Sequence, residues 1–101
     1  MGKIVLSKSA FSKLTQIKKF YAQRDPKIGA RAVDVIEAAF LPLLHSPEIG
    51  RPFEGSMLRR ELIIPFGRSG FISLYEIDKE SDRIVIVALR HQREEGFKNV
   101  E

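Results

Sequence analysis

The sequence contains no cysteine, which removes both a disulfide framework and a thiolate zinc site and leaves nothing that requires an oxidising compartment. Only two histidines are present, His45 and His91, on different elements and without a helical metal-binding spacing, so no metal site is expected. Long hydrophobic runs are missing too. The most apolar stretches, Ala38 to Leu44 and Ile84 to Leu89, fall far short of the roughly 20 residues that span a bilayer. With no signal-peptide pattern at the N-terminus, a cytoplasmic protein without a membrane partner is expected. Gly67-Arg68-Ser69-Gly70 is too short for a phosphate-cradling loop and lacks the following Lys-Ser/Thr, and there is no Gly-x-Ser-x-Gly elbow. Neither a nucleotide cofactor nor serine hydrolase chemistry is indicated, and no cofactor is expected.

What is present fits one domain, residues 1–101, since a chain of 101 residues with 44% hydrophobic content supports a single core. The net charge of +4 is unevenly spread. Residues 1–31 carry eight Lys/Arg against Asp25 alone, whereas residues 32–50 carry three acids and no base. Four arginines and two glutamates follow in 51–68, then five bases and seven acids in 69–101. Localised positive charge suits a nucleic acid or an acidic protein, although small domains also carry such an excess as plain solvated surface.

Lys3 to Leu6 reads as a strand, and Ser7 or Ser9 is placed to cap a helix in which Ala10, Leu14, Ile17 and Tyr21 form the apolar stripe. Lys13, Lys18 and Lys19 read as its solvated face. Asp25-Pro26 supplies a cap and a first-turn proline for a second helix at once, with Ala32, Val35, Ile36, Ala39 and Leu43 on its apolar face, ending before Pro47. Residues 46–57 collect Ser, Pro and Gly and read as an irregular connection. The pattern then changes to period two. Leu58, Leu62, Ile64 and Phe66 share one phase, and Arg59 and Glu61 take the other. A turn at 67–70, a strand from Phe71 to Ile77, a charged turn at 78–82 and a β-branched run from Ile84 to Leu89, read as a central strand, complete the order. The expected fold is α+β, β-α-α-β-β-β, a helical hairpin packed on an antiparallel-rich sheet.

The chemistry-bearing residues lie mostly in the second half. Arg51, Arg59, Arg60, Arg68, Arg90, His91 and Arg93 form a candidate target-binding set, because strands about 5 Å apart bring together residues distant in sequence and arginines bind phosphates through two parallel hydrogen bonds. His91 adds a side chain that titrates near neutrality, as proton transfer in phosphodiester cleavage requires. A histidine at the end of a buried strand is equally an ordinary packed residue.

With these residues placed, the chain resembles the RelE/ParE toxin superfamily over almost its whole length. Pro47-Glu48-Ile49-Gly50-Arg51-Pro52 is similar to the Pro-x-x-Gly-Arg segment after the helical hairpin of ParE-like toxins. Leu58 to Leu62 resembles the next strand, Phe71 to Ile77 the Tyr-x-Ile-x-Tyr-x-Val strand, and Val87 to Arg93 the family's ending. The resemblance implies a toxin neutralised by a cognate antitoxin whose C-terminal segment wraps it, and one of two targets. ParE-like members poison DNA gyrase by binding. RelE-like members cleave messenger RNA on the ribosome, and for that chemistry the candidates here are His91, Arg90, Arg59 and Glu61. No lysine lies between Lys27 and Lys79 and no tyrosine follows Tyr75, so the nuclease set is incomplete and the ParE-like branch is favoured. A non-toxic nucleic-acid-binding module is the remaining alternative.

Overall fold

The computed structural model describes residues 1–97, and the last four residues of the expected domain lie outside the described residues. Strand β1 (Lys3–Leu6) leads through helices α1 (Lys8–Ala22) and α2 (Pro26–Phe40) and a 3-10 turn at Leu41–Leu44 into strands β2 (Arg51–Phe53), β3 (Ser56–Phe66), β4 (Ser69–Asp78) and β5 (Arg83–His91). The sheet order is β1-β5-β4-β3-β2, with β1 parallel to β5 and every other pair antiparallel.

Both helices start where a side-chain oxygen meets free N–H groups. Ser7 Oγ accepts from the Ala10 N–H at 3.0 Å and donates to the Val87 carbonyl at 2.6 Å, so one residue caps α1 and ties it to β5. Val87 is available for this because it is the extra residue of a β-bulge: Leu74 pairs with Ala88, but Tyr75 pairs with Ile86. Asp25 caps α2 by accepting from the Lys27 N–H at 2.9 Å, with Pro26 in the first turn. The hairpin is close because Gly29 faces α1. A Cβ there would lie 2.6 Å from the Lys18 carbonyl oxygen.

The core forms between the helices and one sheet face. Ala10, Leu14 and Ile17 from α1 and Ala32, Ile36 and Phe40 from α2 meet Ile64, Phe71, Tyr75, Ile84 and Ile86. The strand phase brings Arg60 to that same face, with Leu62 and Ile64, while Leu58 is exposed. On the helix-free face Ile72, Leu74 and Ala88 are also buried. There the Arg90 guanidinium lies 5.0 Å from the Phe97 ring centroid, and Phe97 meets Phe53 edge-on at 6.1 Å.

One detail differs from the sequence reading. The connection at 46–57 contains β2 and the start of β3, because Glu54 (φ 50°) and Gly55 (φ 79°) form a tight two-residue turn of the kind that pairs adjacent strands. Pro52 is tolerated in β2 because that strand is at the edge. The run Ile84–Leu89 lies in an interior strand as read, flanked by β1 and β4, and the additional strand β2 makes β4 the middle one of five.

Candidate functional site

A groove of about 850 Å³ runs between one flank of α1 and the end of the sheet formed by the β3–β4 turn and the end of β5. The hairpin turn that makes its far wall is fixed by Gly67, at φ 59°, with Phe66 paired to Ser69. Arg68 projects from that turn. His91 and Arg93 enter from the end of β5, Lys13 enters from α1, and Arg24 enters from the turn that follows it. Ile17, Phe20 and Phe66 supply apolar surface, and Phe20 is 65% exposed although Tyr21 packs edge-to-face against it. The groove is therefore cationic at its rim and apolar within. Among its lining residues Glu94 is the one acid.

His91 is held at both ring nitrogens. Nδ1 accepts from the Arg93 N–H at 3.1 Å, which leaves the proton on Nε2, 3.2 Å from Ser69 Oγ as acceptor. The ring packs edge-on to Phe71 with centroids 5.7 Å apart. Burial, then the charge of Arg93 and to a smaller extent Lys13, holds its pKa below the usual imidazole value against an opposing pull from Glu94. The neutral ring is the form these contacts fit.

The sequence-nominated residues separate into three groups. Arg68, His91 and Arg93 share the groove. Arg51, Arg59 and Glu61 lie in the opposite strand phase, on the helix-free side: Arg51 Nε donates to Glu61 Oε1 at 3.0 Å, and Arg59 Nε to Glu76 Oε2 at 2.7 Å. Glu61 pairs across from Leu74, whereas His91 pairs across from Phe71, so the sheet stands between the two side chains.

Arg60 and Arg90 are committed to the fold. The side chain of Arg60 is buried and donates to the carbonyls of Gly50 at 2.8 Å, Met57 at 2.9 Å and Glu48 at 3.1 Å. Its place on the core face of β3, under the 46–50 loop, takes it away from any target. Arg90 donates through Nη1 to the Glu94 carbonyl at 2.6 Å and more distantly to those of His91 and Gln92, holding the C-terminal turn. Lys13, Arg24 and Glu94 were not among the nominated residues. Lys13 and Phe20 are seven residues apart, which puts them on one flank of α1 beside its apolar stripe, with Arg24 in the turn just beyond the helix, and the seven-residue spacing is the available signal. No helix is long and apolar enough to cross a membrane, and no group of three or more potential metal ligands comes together among the described residues.

A small α+β chain with this element order and sheet has the fold of the RelE/ParE toxins. It superimposes on a chain of the chromosomal ParDE toxin–antitoxin system from P. aeruginosa with a TM-score of 0.71, at 22% identity, covering 88% of this chain and 94% of that one. A chain of the RelBE2 toxin–antitoxin complex from Mycobacterium tuberculosis gives 0.58, also at 22% identity, covering 91% and 92%. Residues 4–96 match the model of the ParE toxin of type II toxin–antitoxin systems, parDE. Toxin RelE3 of Caulobacter vibrioides is 30% identical over 94 residues, 93% of this chain and 98% of that protein. The chain belongs to the ParE toxin family of type II toxin–antitoxin systems.

Proposed function

We propose that this toxin acts by binding DNA gyrase and not by cutting RNA, and that an antitoxin encoded with it covers the groove. The observation that carries the reading is the state of His91. Its acceptor nitrogen is occupied by the Arg93 N–H and its donor nitrogen faces Ser69, so it offers no free lone pair to a 2′-hydroxyl. Glu61, the carboxylate that would complete an acid–base pair with it, is on the other face of the sheet and bonded to Arg51. A cationic rim around an apolar floor remains, which is a surface for binding. The ParE description of the matching family model supports the gyrase branch. The two structural neighbours come from toxin–antitoxin systems, which supports an antitoxin partner here.

The test is a supercoiling assay with purified gyrase, run beside a reconstituted translation reaction in which messenger RNA integrity is followed. Loss of supercoiling with accumulation of cleaved DNA, and intact transcripts, is the expected result. Transcript cleavage with unaffected gyrase would replace this reading by the ribosome-dependent nuclease. Salt-dependent binding to any duplex without either effect would point to a nucleic-acid-binding module.

A further inference from the structure

We propose that Glu94 holds, from within the chain, the carboxylate position of the groove, and that an acidic side chain of a peptide partner replaces it there. The inference rests on the reading of the groove as a partner-binding surface. One oxygen of Glu94, Oε1, lies 2.8 Å from Lys13 Nζ and accepts the His91 N–H at 2.9 Å. That N–H can be reached because β1 pairs with β5 only as far as Ile86, leaving the last part of the β5 edge without a strand neighbour among the described residues. An ammonium and a strand-edge N–H converging on one oxygen make a place for a carboxylate, and the chain's own glutamate shows that a peptide acid fits it.

The contact is built to be exchanged. Lys13 and Glu94 keep 27% and 28% of their side-chain surface exposed, so both water and an incoming carboxylate can reach the pair. The backbone of the turn is held separately, by Arg90 Nη1 on the Glu94 carbonyl, so the carboxylate can leave while the turn stays. Lys13, Arg24, Arg68 and Arg93 line the groove against this single acid, so an anionic partner gains from the remaining cations as it takes the place of Glu94. The apolar surface of Ile17, Phe20 and Phe66 favours an amphipathic acidic helix over a nucleic acid strand.

The experiment measures anisotropy of a fluorescent Glu/Leu amphipathic peptide of about 15 residues with the wild-type chain, Glu94→Gln and the double variant Lys13→Gln/Glu94→Gln. A single-stranded oligonucleotide of matched charge serves as second probe. Glutamine keeps an acceptor for the His91 N–H, and far-UV circular dichroism confirms that the fold is retained. Glu94→Gln is expected to bind the peptide about two- to five-fold more tightly, the exchange factor of one partly exposed ion pair, and adding Lys13→Gln cancels the gain. Equal peptide affinity for wild type and Glu94→Gln, or a gain confined to the oligonucleotide, overturns the Glu94 assignment alone. No peptide binding by either protein overturns both the assignment and the partner surface beneath it.

Discussion

The Gly50 N–H donates to Tyr75 Oη at 2.9 Å, and the same hydroxyl donates to the Pro47 carbonyl at 2.6 Å. One phenol from the middle strand thus closes the loop between the helices and β2 at both ends. Burial pushes the Tyr75 pKa up, which keeps it a donor at any physiological pH. A Cβ on Gly50 would lie 2.5 Å from the Glu61 carbonyl oxygen and 2.7 Å from Tyr75 Oη, and the backbone atom cannot yield cheaply. Gly50→Ala is expected to destabilise the chain by about 1–3 kcal/mol. Tyr75→Phe, which leaves the Gly50 N–H buried without its acceptor, should cost a similar 1–3 kcal/mol or so. Urea unfolding of both variants checks this, and an unchanged midpoint for Tyr75→Phe would remove the phenol from the account.

Arg60 completes the same loop from below, and it separates fold from function among the arginines. Arg60→Ala leaves the carbonyls of Glu48, Gly50 and Met57 without their donor, and the expected loss is about 3 kcal/mol. Arg68→Ala, at an exposed turn, should change stability by no more than about 0.5 kcal/mol while weakening target binding. Thermal melts and the gyrase assay on the two variants give opposite orders of effect if the assignment is right.

These two arginines also show how far the chain could be read before it was folded. The helix caps at Ser7 and Asp25, the proline in the first turn of α2 and the change to period two at β3 are local effects of backbone donors and side-chain alternation, and all were legible. Its charge alone points Arg60 to a binding surface, although its phase with Leu62 and Ile64 places it on the core face. Strand β2 escaped notice because three residues are too few to show alternation, and the Glu54-Gly55 turn that creates it depends on positive φ at a glutamate. The groove was legible only in part. His91 and Arg93 stand out by type, but Lys13 reads as solvated because whether a helix flank faces water or the end of a sheet is decided by the packing of α1 on β5.

Ser73 offers a gain in stability. Its side chain is fully buried on the core face between Leu62 and Leu89, and its Oγ has no hydrogen-bond partner among the described residues. A buried hydroxyl left unpaired is unfavourable, so Ser73→Ala is expected to raise stability by up to about 1 kcal/mol. A lowered unfolding midpoint would reveal a partner for that oxygen.

The pH dependence should report on His91. Its folded pKa lies below the unfolded value of 6.5, so the folded chain takes up a proton less readily than the unfolded one. The stability that follows from the neutral ring is fully present above the unfolded pKa and is lost as pH falls through the folded one. Protonation also places a proton on Nδ1, where the Arg93 N–H now points, and adds a cation beside Arg93 and Lys13. The melting temperature is therefore expected to fall between about pH 7 and pH 5, and His91→Gln should flatten part of that slope. Under the proposed binding role, gyrase inhibition by His91→Gln at neutral pH should stay close to wild type, because the neutral ring is a hydrogen-bonded wall of the groove. A large loss of inhibition in a variant that still melts like the wild type would instead put the imidazole in contact with the target.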